Sequence, residues 1–103
     1  MRILPALILV AACSGSPAPH ESQTLQVEIR GMQFVPAVLH VHRGDLVVFT
    51  NKDIVPHTAT STGWFDSGAL QPGQSWTYAV SEAIDYQYVC TMHPTMHGQL
   101  LAQ

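Results

Sequence analysis

The stretch Tyr88-Val89-Cys90-Thr91-Met92-His93-Pro94-Thr95-Met96-His97-Gly98 gathers the side chains best suited to chemistry: a thiol, an imidazole and a thioether at i, i+3 and i+6. It follows one apolar-alternating segment and precedes another, which predicts a loop between two strands. A loop with fixed ends lets three side chains converge without ordering a long piece of chain. A second imidazole, His57, lies upstream after Pro56, at the predicted start of a strand that an antiparallel neighbour could bring beside this loop. Soft sulfur with imidazole selects copper or zinc over magnesium or calcium, which prefer oxygen. Two His, one Cys and a longer, weaker thioether describe a trigonal copper centre. The spacing therefore predicts one copper ion, cycling between Cu(I) and Cu(II), held by His57, Cys90 and His93 with Met96 axial.

Taken singly, each residue has a plainer reading. Cys90 could be a small buried hydrophobe, His57 a loop histidine bonded to a carbonyl, and Met96 a filler of the core. Cys-x-x-His is also half of many zinc sites, but no second pair follows to complete four strong ligands. A Cys/His catalytic dyad would need an orienting Asn or Asp and a glycine-rich pocket, which the pattern lacks. The set in spaced order carries the metal reading.

The elements that must position these residues come from the rest of the chain. It has 103 residues, 47% apolar and 11% charged, with net charge −3, which is room for one domain. That balance excludes a disordered tail and gives no basic footprint for nucleic acid. The first twelve residues carry Arg2 and then a run of Ile, Leu, Val and Ala ending Val10-Ala11-Ala12-Cys13. The run is too short to span a bilayer, fits the apolar stretch of an export signal, and its end resembles the lipobox of bacterial lipoproteins. Residues 1–12 are thus expected to be a cleaved signal and Cys13 a lipidated first residue, anchoring the protein at the periplasmic or outer side of the envelope. Cys90 would then be a lone thiol in an oxidising compartment, which a metal would protect.

Residues 13–23, rich in Ser, Pro and Gly, are expected to form a flexible tether with His20 free in it. Period-two alternation then runs through Leu25, Val27 and Ile29, through Leu39 and Val41, through Trp76, Tyr78 and Val80, and through Tyr86, Tyr88 and Cys90. Leu46 to Thr50, His57 to Thr60 and Gln99 to Ala102 complete about seven short strands, with Gly63 to Gly73 mostly loop and Trp64 and Phe65 plugging an end of the core. Residues 24–103 are accordingly an all-β sandwich. His40 and His42, at i and i+2, share a strand face, read as solvated rather than as a second metal site. His97 could compete with Met96 but is placed at the loop rim.

With these motifs set out, the chain resembles the cupredoxins, nearest the branch of amicyanin, pseudoazurin and plastocyanin. The resemblance covers Met32-Gln33-Phe34-Val35-Pro36, then Val41 through Asn51, Pro56-His57-Thr58, and Cys90 through Gly98. The Cys-x-x-His-x-x-Met spacing is that of amicyanin. The resemblance implies a Greek-key β-sandwich of seven to eight strands with the copper at one end, and reversible one-electron transfer in which no substrate bond is broken. It also implies that His93 is the electron port, flanked by Met92 and Pro94, and that the Thr58 backbone N–H donates to the Cys90 sulfur. The protein is expected to be a monomer, not an enzyme, meeting a redox partner such as a c-type cytochrome or a copper oxidoreductase. Two rivals are a copper storage or delivery protein on the same ligands and a fragment of a copper enzyme. The enzyme would place His directly beside the thiolate, whereas Val89 and Thr91 flank Cys90.

Overall fold

The computed structural model describes residues 2–3 and 19–103; residues 1–12, apart from 2 and 3, and the proposed lipid site Cys13 lie outside the described residues. Among the described residues nine strands form two sheets: β1 (Thr24–Arg30), β2 (Gln33–Val35), β3 (Val38–Val41), β4 (Leu46–Asn51), β5 (Thr60–Ser61), β6 (Phe65–Asp66), β7 (Ser75–Ala79), β8 (Asp85–Val89) and β9 (His97–Ala102). One sheet has the order β2-β1-β4-β7 and the other β3-β9-β8-β5-β6. The pairs β1/β4 and β3/β9 are parallel and the rest antiparallel. The architecture is the expected all-β Greek-key sandwich.

Alternation explains which residues fill it. Val27 and Ile29 of β1, Val47 and Phe49 of β4, and Tyr86 and Tyr88 of β8 point inward and are buried, while their sequence neighbours face outward or lie at the margin. Phe65 is the hub of an aromatic cluster. Its ring lies 4.4 Å from Tyr78, 5.9 Å from Phe49 and Trp76, and 6.0 Å from Tyr88, spacings at which aromatic pairs attract beyond their buried area.

The strand count exceeds the expectation because two pairings are too short to show periodicity. Gln33–Val35 returns along β1 through the two-residue turn Gly31-Met32, both residues having positive φ, as the hairpin twist requires. Phe65–Asp66 pairs with Thr60–Ser61 inside the segment read as loop. Phe65 plugs the core as expected, but Trp64 is half exposed and meets Tyr86 in a T-shaped contact at 5.6 Å. The strand expected over His57 to Thr60 is only Thr60–Ser61, because His57 makes an isolated bridge to Leu70 instead.

The topology sorts the chain into two ends. The last residues of β4 and β8 and the first of β5 and β9 meet at one end, where the loops carrying His57 and Cys90 emerge. At the other end the β3–β4 turn, the close of β7 and the chain terminus meet through Gly44 N–H to Val80 C=O (2.8 Å) and Arg43 N–H to Gln103 C=O (2.9 Å). Here residues 20–23 depart from the expected free tether. Leu46 N–H donates to Gln23 C=O, and His20, expected to be free, hydrogen-bonds to Asp45.

Candidate metal centre

His57 is positioned by three consecutive devices in the loop after β4. Asn51, fully buried at the end of β4, donates its amide to the carbonyls of Val55 and Leu70 and accepts the N–H of Asp53, so a short polar side chain closes the turn that precedes His57. The His57 backbone then exchanges two hydrogen bonds with Leu70, at 3.1 and 2.7 Å. Finally Asp53 Oδ2 lies 2.9 Å from His57 Nε2. With Nε2 occupied, Nδ1 is left to face the sulfur, a carboxylate–imidazole contact that sets the ring's orientation.

Asp53 is itself held. Its two oxygens accept the N–H groups of Gly31 and Met32 in the β1–β2 turn, at 2.7 and 2.9 Å. Burial pushes its carboxyl pKa up, but these backbone donors and His57 outweigh that and leave it below the ordinary value of 3.8. The carboxylate is therefore ionised and presents negative charge to the imidazole.

Cys90, His93 and Met96 stand on the loop between β8 and β9, which is wound tightly by its own backbone. His93 N–H donates to Cys90 C=O (3.2 Å), Met96 N–H to His93 C=O (2.9 Å) and Cys90 N–H to Met96 C=O (3.2 Å). Each of the three loop residues is thereby tied to the next. Cys90 and Met96 are buried, His93 is partly exposed and His97 is exposed as the first residue of β9. Gly98 follows at a point where only a hydrogen fits: a Cβ there would stand 2.1 Å from the Tyr88 ring.

The two loops are laced together across the sheet. Thr58 N–H points at the Cys90 sulfur at 3.4 Å, as expected, and Thr58 Oγ1 accepts the N–H of Thr91 at 2.9 Å. A backbone donor aimed at the sulfur fixes where its lone pairs can point. Nδ1 of His57 lies 3.6 Å and Nδ1 of His93 3.8 Å from Cys90 Sγ, and all three donor atoms fall within 4.8 Å of one another. A metal held near 2.3 Å from sulfur and near 2.0 Å from nitrogen, at trigonal angles, needs S···N separations of ~3.7 Å. The three residues fit such an ion. The soft thiolate, two imidazoles and adjacent buried thioether suit a single copper ion better than a hard cation.

Of the expected ligands, then, His57, Cys90 and His93 meet, and Met96 closes the same loop. The residues missed are Asn51, Asp53 and Thr91, read only as turn or flanking positions. A carboxylate four residues before a candidate ligand histidine was the available signal for Asp53.

The chain belongs to the cupredoxin-like family: a family model described as a cupredoxin-like domain matches residues 3–102. Among curated proteins it is similar to the amicyanin of Paracoccus denitrificans, 30% identical over 83 residues that cover 75% of this chain and 63% of that protein. It is also similar to amicyanin-alpha of Methylorubrum extorquens, 26% identical over 88 residues, covering 76% of this chain and 71% of that protein. The match thus spans a little under two thirds of the first of these relatives. Among solved structures, a reduced tryptophan-to-tyrosine variant of amicyanin superposes with a TM-score of 0.74 at 28% identity, covering 78% of this chain and 82% of that one. A Cu(I) methionine-to-alanine variant of amicyanin gives 0.74 at 27% identity over the same shares.

Proposed function

We propose that this protein is a type 1 blue copper electron carrier, with His57, Cys90 and His93 as the strong ligands and Met96 as the axial one. The observation that carries this reading is the pair of imidazole Nδ1 atoms 3.6 and 3.8 Å from one buried sulfur. Copper bound there supplies a one-electron Cu(II)/Cu(I) couple. The chain supplies rigidity: Asp53 and the Leu70 bridge fix one imidazole, the loop hydrogen bonds fix the other, and the Thr58 N–H steadies the thiolate. A donor set that hardly moves between oxidation states favours electron transfer over capture and release of the ion.

His93 is the electron port. Its ring is partly exposed, and the donor loops also present Met92, Ile54 and Val55 to solvent. Such an apolar rim suits a small, short-lived contact, below about 1,200 Å² buried. The partner is a redox protein such as a c-type cytochrome or a copper oxidoreductase, and no substrate is turned over. The protein acts as a monomer on the periplasmic or outer side of the envelope, anchored by lipid on Cys13. Among the described residues no helix is long and apolar enough to cross a membrane.

Cu(II) loading is expected to give an intense blue thiolate-to-copper absorption, wholly lost in Cys90→Ala. Colour that persists in that variant overturns the ligand assignment. Met96→Gln is expected to keep the copper and lower the reduction potential, and an unchanged potential removes Met96 from the set.

A further inference from the structure

The end of the sandwich remote from Cys90 holds a second cluster of metal-ligating side chains. His20, His42 and Asp45 place one donor atom each within 4.8 Å of one another. His20 Nε2 is 2.8 Å from Asp45 Oδ1, and His42 Nδ1 is 4.0 Å from Asp45 Oδ2. The two imidazoles are stacked, centroids 3.7 Å apart and 18° from parallel. Asp45 is 1% exposed, whereas both rings reach solvent.

Asp45 is built into the fold. Its Oδ1 also accepts Gln23 N–H at 2.9 Å and its Oδ2 accepts His42 N–H at 2.8 Å. A carboxylate offers about four acceptor positions, so these two backbone bonds leave room for further donors or an ion. Backbone donors at a buried site also keep it ionised. A tetrahedral zinc site with nitrogen and oxygen at about 2.0–2.2 Å needs donor separations of ~3.4 Å, which the observed 2.8 and 4.0 Å bracket. Binding requires the two part-exposed rings to turn out of their stack so that both nitrogen lone pairs point at the ion, while the carboxylate need not move.

We propose that His20, His42 and Asp45 form a second metal site, for a divalent borderline ion such as Zn²⁺, that clamps the N-terminal segment to the base of the domain. Two imidazoles and one carboxylate leave a fourth position for water, a set that suits Zn²⁺ or Cu²⁺ and lacks the thiolate a blue centre requires. The site lies a full strand from Cys90: β4, six residues long, separates the two ends by ~20 Å. It shares no ligand with the copper centre, and the inference stands or falls independently of it. An ion here would fix the segment around His20 against the β3–β4 turn and so set how the copper end is held relative to whatever the N-terminus is attached to.

The test is calorimetric titration of Zn²⁺ into the full chain already loaded with Cu(I), with the His Cε1–H resonances followed in parallel. The expected result is one equivalent of Zn²⁺ bound, with the His20 and His42 signals moving together. His20→Ala and His42→Ala should each weaken binding at least tenfold, and His40→Ala and His97→Ala should leave it unchanged. All four side chains reach solvent, so the variants leave the core intact. No uptake, uptake indifferent to His20→Ala, or uptake lost in His40→Ala each overturns the site.

Discussion

The two ends of the sandwich solve the same problem in opposite ways. At the copper end the imidazole of His57 is fully buried and its carboxylate partner, Asp53, keeps 14% of its side chain in solvent; at the far end the carboxylate of Asp45 is 1% exposed and its imidazoles lie outside. In both, an aspartate accepts two backbone N–H groups and meets a histidine ring nitrogen, joining separate segments of the chain. The difference lies in which partner the fold immobilises. Burying the imidazole fixes a ligand for one metal geometry, as the proposed electron transfer would require, whereas burying the carboxylate leaves the two rings at the surface. A buried ligand suits a resident ion, and a buried anion under part-exposed rings suits the clamp proposed above.

Exchanging the roles of the two aspartates should break this symmetry most visibly at the far end. Asp45→Ala strands the N–H groups of Gln23 and His42, and each buried donor left unpaired costs about 1–3 kcal/mol. We expect a loss of ~2 kcal/mol or more in urea unfolding, with the blue absorption unchanged in the folded fraction. Asp53→Asn should do the reverse. It keeps the shape of the loop but weakens the hold on His57, and loss of such a partner typically lowers metal affinity about 10–100-fold. Competition with a copper chelator checks this, and equal affinity in the variant would show that Leu70 alone orients the ring.

A smaller effect is the acid response. The carboxyl of Asp45 is pushed up by burial but held below its ordinary 3.8 by the backbone N–H groups of Gln23 and His42 and by His20. A carboxyl lowered in the folded state adds stability that is present above that ordinary value and is lost as pH falls through the folded one. Unfolding midpoints should therefore drop below pH 3.8 in the native protein, and more shallowly in Asp45→Asn. The smallest effect belongs to Met32, whose φ of 60° forces a side chain into left-handed backbone. Met32→Gly should raise stability by ~1 kcal/mol, read as a thermal shift, while the Asp53 hydrogen bond to its N–H survives.

Much of the design was legible in the chain itself. Period-two alternation placed Val27, Ile29, Tyr86 and Tyr88 in the core because a pleated strand leaves no choice of face once one side is buried. The spacing of Cys90, His93 and Met96 named one loop as the metal loop because those residues are close in sequence and the hydrogen bonds that wind them are local. The Phe65–Asp66 pairing is too short to show a period, and the docking of His20 on Asp45 joins segments that no local pattern relates. The Asp53–His57 bond is local, its four-residue spacing being the signal, but only the folded loop aims the two side chains at each other.

What sequence alone determined is therefore the chemistry available: the thiol of Cys90, its neighbouring imidazole and thioether, and strands able to carry them. What only the tertiary structure decided is which distant groups complete each site. The β5/β8 pairing sets His57 beside Cys90 across 33 residues, and the β3–β4 turn sets Asp45 under His20 across 25. The physical reason is that donor chemistry is a property of single residues, whereas a binding geometry is a property of the strand pairings that hold them.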